Sequence, residues 1–267
     1  MPLAVCATPI GNLEDVTLRV LRELAEADLV LCEDTRRTRI LLDRHRVTAR
    51  LLSYHEHNEA SRSAEVLPRL EAGARVALVS DAGLPGVNDP GARLIAAALE
   101  AGVPVSVLPG ASAVETALVA SGFQAERYQF LGYLPRGEAA LAALWEELAR
   151  WTWPAVAFES PRRLPAMLRS LANALPERYV AVCRELTKQF EEVVRGRAAE
   201  VARRFPEPPK GEITVVFDAA DAAEEDERPA IEAVTELVAL GVPRRQAADL
   251  VARLTGAGKN ALYRGSL

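Results

Sequence analysis

Lysine is almost missing from this chain: of 32 basic residues in 267, only Lys188, Lys210 and Lys259 are lysines and the other 29 are arginines. A solvated surface accepts either cation, so a sequence that has moved this far towards arginine is expected to keep lysine where a compact, titratable amine is needed. Cysteine is equally scarce. Cys6, Cys32 and Cys183 lie far apart, two of them in apolar strand-like runs, which argues against a disulfide framework or a zinc cluster and for buried free thiols. No apolar run approaches the roughly 20 residues that a membrane span requires, and the chain enters a strand-like run, Leu3 to Thr8, with no basic stretch ahead of it. The expectation is a cytoplasmic protein whose 49% hydrophobic side chains can build a sizeable core and two domains.

Two nucleotide-binding signatures are also lacking. No G-x-G-x-x-G and no G-x-x-x-x-G-K-[ST] is present, so dinucleotide and triphosphate ligands lose their strongest sequence supports. The net charge of -5 is uneven: residues 1 to 217 carry about -2, Asp218 to Glu227 carry -6, and Arg228 to Leu267 carry +3.

What is present is a repeated strand-turn-helix plan. Strand-like runs stand at Leu3 to Thr8, Leu29 to Cys32, Val76 to Ser80, Val103 to Leu108, Tyr128 to Tyr133, Ala155 to Glu159, Val180 to Cys183 and Ile213 to Phe217, with helical spacing between most of them. Residues 1 to 121 therefore read as an α/β domain with a parallel sheet, forming the substrate side of a cleft. Residues 122 to 217 read as a second α/β domain. There Glu185 to Arg197 alternates like a hairpin, which implies a mixed sheet. Asp218 to Pro229 fits an exposed acidic linker, and residues 230 to 267 a small, basic, helix-turn-helix-like segment.

Three Gly/Pro turns follow strands: Thr8-Pro9-Ile10-Gly11-Asn12-Leu13, the loop Asp81 to Gly91, and Leu108-Pro109-Gly110-Ala111-Ser112-Ala113. In an open α/β sheet, ligands bind beyond the carboxyl ends of the strands, where glycine lets the backbone come close. The stretch Val76 to Ala92 holds two aspartates and no Lys or Arg, so a phosphate-rich ligand would be poorly received. An adenosine-like ligand without phosphates, S-adenosylmethionine among them, remains compatible; so do ordinary βα turns and other small molecules. Glu33-Asp34-Thr35-Arg36-Arg37 puts two carboxylates at the end of the second strand, where the alternative is an N-capped helix with solvated arginines. His55 and His57 would share one face of a strand, but no third ligand stands at a recognised spacing, so no metal is expected.

Taken in order, Ala7 to Leu13, Glu33-Asp34-Thr35-Arg36, His57-Asn58-Glu59, Asp81-Ala82-Gly83 through Asn88-Asp89-Pro90-Gly91, Pro109-Gly110, Phe158-Glu159-Ser160-Pro161, Arg184 to Lys188, Lys210-Gly211-Glu212 and Lys259 to Tyr263 resemble the bacterial 16S ribosomal RNA cytidine-2′-O-methyltransferases of the tetrapyrrole methylase superfamily. All three lysines fall inside these motifs. The resemblance implies a homodimer of two α/β domains with S-adenosylmethionine in the cleft between them, acting on a cytidine ribose of the small ribosomal subunit near the decoding centre. It implies cofactor contacts from Pro9, Ile10, Gly11, Asp81, Gly83, Leu84, Val87, Ser112, Ala113, Phe158, Leu186, Gly211 and Glu212, and RNA contacts from Arg36, Arg37, Arg162, Lys259 and Arg264. The chain departs from the family pattern at Leu84, Ala111, Phe158 and Arg162, where Thr, Pro, Tyr and His are usual.

Methyl transfer to a ribose hydroxyl needs in-line approach and a proton acceptor. The acceptor is expected to be Lys188 with a lowered pKa, oriented by Glu185 or Asp34, with Asp34 and Glu33 as the other candidates. Competing readings are a tetrapyrrole or protein methyltransferase on the same scaffold, or a ribosome-assembly factor without catalysis.

Overall fold

The computed structural model describes residues 2–220 and 227–267; the middle of the expected linker, residues 221–226, lies outside the described residues. Strands Leu3–Cys6 (β1), Leu29–Cys32 (β2), Leu51–Ser53 (β3), Val76–Val79 (β4) and Val105–Leu108 (β5) form an all-parallel sheet in the order β3-β2-β4-β1-β5. Between them run helices Leu18–Glu26 (α1), Thr35–Arg44 (α2), Glu59–Glu71 (α3) and Ala92–Glu100 (α4), and Ala113–Ser121 (α5) follows. Every residue of β1, β2 and β4 is buried, as expected for parallel strands covered on both faces. Alternate side chains separate into two cores. Leu3, Val5, Leu29, Leu31 and Leu78 pack with Val66, Leu70 and Leu94 of α3 and α4, while Ala4, Cys6, Val30, Cys32 and Val79 pack with Val20, Leu24 and Leu42 of α1 and α2. Local capping chemistry starts the helices on that second face: Thr17 accepts from the Val20 N–H and Asp34 from the Arg36 N–H. Strand β3, only three residues long, is too short to have shown a period in the sequence.

The second sheet is mixed, in the order β6-β7-β10-β8-β9, from Gln129–Tyr133 (β6), Ala155–Glu159 (β7), Tyr179–Arg184 (β8), Glu192–Arg197 (β9) and Ile213–Phe217 (β10). Only β6 and β7 are parallel; β10 runs antiparallel to β7 and β8, and β8 to β9. The hairpin expected over Glu185 to Arg197 is narrower than its alternation suggested. Glu185 to Glu191 make the connection, with Glu185 and Thr187 at positive φ, and only Glu192–Arg197 is strand. Helices Glu138–Leu148 (α6), Leu164–Ala174 (α7) and Ala198–Arg204 (α8) complete this half. Helix α5 packs its Val114, Ala117 and Leu118 against Val156, Ala181, Cys183 and Val216 of the second sheet. Both sheets therefore belong to one compact unit, residues 1–149 and 153–218.

The other unit comprises residues 150–152 and 219–267. Its helices Glu227–Ala239 (α9), Arg244–Thr255 (α10) and Lys259–Gly265 (α11) close around Val234, Ala247, Ala248, Val251, Ala257 and Leu262. Gly256, at φ 80, ends α10 in the left-handed conformation. No described helix is long and apolar enough to cross a membrane.

Candidate active site

A cleft of about 800 Å³ opens in the larger unit, at the carboxyl ends of the parallel strands and against the second sheet. Residues of all three Gly/Pro turns line it. Thr8 and Gly83 exchange backbone hydrogen bonds of 2.8 and 3.0 Å, and the Thr8 hydroxyl donates to the Ser80 carbonyl at 3.0 Å, joining the first turn to the second. The Asn12 N–H donates to Thr187 Oγ1 at 2.9 Å, joining the first turn to the β8–β9 connection. The lining combines apolar groups, among them Ile10, Leu84, Val114, Phe130, Phe158 and Leu186, with six carboxylates: Glu33, Asp81, Asp89, Glu115, Glu159 and Glu212. Arg37 is the one basic residue among the lining residues, and it stands 3.4 Å from Asp81.

Of the residues singled out from the sequence, Ile10, Glu33, Arg37, Asp81, Gly83, Leu84, Val87, Ser112, Ala113, Phe158, Leu186, Gly211 and Glu212 line this cleft. Pro9 and Gly11 belong to the first turn, and Gly11 lies directly against Leu186, Thr187 and Lys188. Lys188 and Glu185 stand behind the lining. The ammonium donates to Glu185 Oε1 at 2.8 Å and to Glu212 Oε2 at 3.0 Å. Burial pushes its pKa down, but the hydrogen bonds and charges of Glu185 and Glu212 outweigh that, and the pKa is raised above the ordinary lysine value. This corrects the expectation of a lysine with a lowered pKa: Lys188 is a protonated cation between two carboxylates.

Asp34 is corrected in the same way. Its Oδ1 accepts from the Arg36 N–H at 2.8 Å and from Arg36 Nε at 3.0 Å, and Oδ2 accepts from Arg36 Nη2 at 2.7 Å. The Arg36 side chain and backbone bonds hold the carboxyl well below the usual range, so Asp34 is a helix cap and a weak base. Arg36 itself is otherwise solvated. Glu33 behaves differently: burial, then the neighbouring Asp81 charge, raise its pKa. Arg162 is exposed. In the smaller unit Lys259 pairs with Asp249 at 2.5 Å, and Arg264 is exposed.

Asp89, Glu159 and Tyr133, which no local motif marks as site residues, are among the further residues that face the cleft. Asp89 is pushed up to about 6 by burial, with Glu33 and Asp81 adding to the effect and a Ser80 hydrogen bond opposing it. Glu159, only 2% exposed, accepts from the Ser160 N–H at 2.6 Å, and its Oε2 lies 3.2 Å from Arg163 Nη2 without the alignment of a hydrogen bond. Burial raises its pKa. Tyr133 stands at the mouth, 65% exposed. Gly132 was the available signal for Tyr133, because a glycine inside a strand marks a bulge. Cys183 also lines the cleft; burial pushes its thiol up to about 12, and all three cysteines are buried and free.

The His55 to Glu59 segment acts as a brace. Asn58 Oδ1 accepts from the His55 N–H at 2.9 Å, and the His55 and His57 rings pack edge to face. Glu59 Oε1 accepts from the Gly91 N–H at 3.0 Å and from the buried Tyr54 hydroxyl at 3.1 Å, which anchors the end of the Asp81 to Gly91 loop. Among the described residues no group of three or more His, Cys, Asp or Glu gathers as a metal site.

The model of the tetrapyrrole (corrin/porphyrin) methylases matches residues 2–202. A ribosomal RNA small subunit methyltransferase I from Micromonospora olivasterospora is 45% identical over 265 residues, 98% of this chain and 85% of that one. The protein of the same name from Mesorhizobium japonicum is 43% identical over 98% of this chain and 90% of its own. The one from Thermotoga maritima is 44% identical over 80% of this chain and 97% of its own. Among solved structures, the uroporphyrin-III C-methyltransferase from Thermus thermophilus complexed with S-adenosylhomocysteine superposes with a TM-score of 0.56 at 20% identity, over 81% of this chain and 96% of that one. A diphthine synthase gives 0.61 at 15% identity, over 81% and 89%; likeness at this identity shows the fold alone. The chain belongs to the tetrapyrrole (corrin/porphyrin) methylases and, within them, to the ribosomal RNA small subunit methyltransferase I proteins.

Proposed function

We propose that this protein transfers the methyl group of S-adenosylmethionine to the ribose 2′-hydroxyl of a cytidine in 16S ribosomal RNA near the decoding centre. The observation that carries the reading is the 43–45% identity, over 98% of the chain, to proteins named for small-subunit ribosomal RNA methylation, against 15–21% identity to structures of tetrapyrrole methyltransferases and diphthine synthase. The donor set of the cleft fits the cofactor. Six carboxylates and one arginine repel a phosphate chain but favour a sulfonium and an α-ammonium, and the apolar wall from Ile10, Leu84 and Phe158 suits an adenosine. When bound, S-adenosylmethionine supplies an electrophilic methyl group on a positively charged sulfur.

The chain's own part is to hold, orient and accept a proton. Pro9 to Gly11, Asp81 to Val87, Ser112-Ala113, Phe158, Leu186 and Gly211-Glu212 would hold the cofactor. Lys188, fixed by Glu185 and Glu212, sets the position of Glu212 on the cleft wall. The proton acceptor is better sought in Glu33 or Asp89, cleft-lining carboxylates whose raised pKa values make them stronger bases than an ordinary carboxylate. Arg36, Arg37 and Arg162, with Lys259 and Arg264 of the helical unit, would meet phosphates. The reading carries a homodimer and cytoplasmic residence with it. The test is to incubate the protein with tritiated S-adenosylmethionine and small ribosomal subunits lacking the modification, then map the label by nuclease digestion and reverse-transcription stops. A single 2′-O-methylcytidine is expected; cofactor binding with no label on the subunits would overturn it.

A further inference from the structure

Phe130 and Tyr133 are three residues apart on β6, a spacing that places side chains on opposite faces of a regular strand. Here both rings lie against Phe158, with centroids 5.1 Å from Phe130 and 5.6 Å from Tyr133, each edge to face. The cause is a bulge. Phe130 pairs with Val156 and Tyr133 with Phe158, so three steps along β6 match two along β7, and the register shifts between them. Gly132 takes up the shift at φ 64, and a Cβ there would stand 3.1 Å from Asn88 Oδ1, on the second cleft loop. The bulge thus turns Tyr133 onto the cleft side of the sheet and props it on Phe158, with 65% of its surface in solvent. Tyr128, the other tyrosine of the cleft, has its hydroxyl bound to Glu115 at 2.6 Å.

Resting on the reading of ribosomal RNA as substrate, we propose that Tyr133 is the platform on which the base of the target nucleotide stacks at the cleft mouth. An exposed, braced aromatic ring beside a site that acts on RNA suits an unstacked base, because every base has a π-face and ordering one ring costs little entropy. The surroundings favour a base over a phosphate. Asp89, Glu212, Glu159 and Glu33 line the same cleft as Tyr133, and after burial their charges raise its phenol. They accept hydrogen bonds from the exocyclic amine of a base such as cytosine, whereas uracil presents a carbonyl at that position.

The test compares full-length wild type, Tyr133→Leu and Tyr133→Phe with unmodified small subunits and tritiated S-adenosylmethionine. Tyr133→Leu should raise KM for the subunits roughly tenfold, Tyr133→Phe should restore it to within about twofold of wild type, and the Kd for S-adenosylmethionine, read by calorimetry, should stay the same in all three. An unchanged KM in Tyr133→Leu overturns the proposal. A loss of S-adenosylmethionine affinity in Tyr133→Leu also overturns it, because the ring would then serve the cofactor's adenine or the fold of the cleft. If wild type itself labels no RNA while binding the cofactor, the substrate reading fails and the platform with it, an outcome the wild-type control separates from the other two.

Discussion

Lys188 Nζ stands 2.8 Å from Glu185 Oε1, an ion pair closed within the short connection between β8 and β9 and extended at 3.0 Å to Glu212, the residue that precedes β10. The pair keeps the amine charged. Lys188→Arg should raise the Kd for S-adenosylmethionine and lower methyl transfer by on the order of tenfold or more, since a planar guanidinium cannot replace a point ammonium between two carboxylates and Glu212 on the cleft wall loses its fixed position. The pH profile of transfer should also lack a limb from Lys188 between neutrality and its ordinary range. A limb there that disappears in Lys188→Arg would return the lysine to the role of base.

Asp89 gives the opposite pH signature. With its pKa at about 6, the carboxylate is charged above that pH, so transfer should fall as pH drops through 6, and Asp89→Asn should flatten this acid limb. Stability moves the other way. A carboxyl whose folded pKa is raised binds its proton more tightly in the folded state, so its favourable contribution is full below pH 3.8 and is lost as pH rises through 6. Asp89→Asn should therefore melt higher than wild type at pH 7 to 8, by about 1 kcal/mol after allowing for solvent screening at a partly exposed site, and the difference should vanish near pH 4. Equal melting temperatures at both pH values would contradict the burial assigned to Asp89.

Gly211, at φ 104, leaves room for Glu185 to pass beneath it: a Cβ there would lie 2.4 Å from Glu185 Cγ. Gly211→Ala combines strain with a collision and should cost about 1–3 kcal/mol, seen as a lower denaturation midpoint, together with weaker S-adenosylmethionine binding.

Glu59→Ala removes the acceptor shared by Tyr54 and Gly91. The expected loss is about 1–2 kcal/mol of stability, with a larger effect on cofactor affinity than on the global melt, because the freed segment is a cleft loop. Hydrogen exchange at residues 81 to 91 should quicken in the variant; unchanged exchange there would mean that Glu59 does not anchor the loop.

Arg36 and Arg264 are exposed. If they meet phosphates, Arg36→Ala and Arg264→Ala should each weaken subunit binding and reduce the log–log salt slope by about 0.7, leaving S-adenosylmethionine binding as it was. An unchanged slope would remove that arginine from the RNA contact.

Elements whose signals are local can be read from the residues alone. Uninterrupted apolar runs such as Leu29–Cys32 and Val76–Val79 specify buried parallel strands, and the Gly/Pro turns after β1, β4 and β5 mark the ligand side of the sheet, where Ile10, Asp81, Gly83, Leu84, Val87, Ser112 and Ala113 need only their place in a turn to face the cleft. Protonation and aim were not legible in the same way, because each depends on groups far apart in the chain. Glu212 reaches Lys188 from 24 residues away, Glu59 holds Gly91 from 32, and Thr8 meets Gly83 across 75. A lysine beside a glutamate in sequence can be a base or a cation; Glu185, together with a second carboxylate brought in just ahead of β10, holds Lys188 as a cation. Tyr133 sits on a strand that by period alone would point it away from Phe130, and only the pairing of β6 with β7 turns it into the cleft. Local pattern sets which backbone forms, whereas electrostatics and side-chain direction are set by distances that exist only once the sheets have assembled.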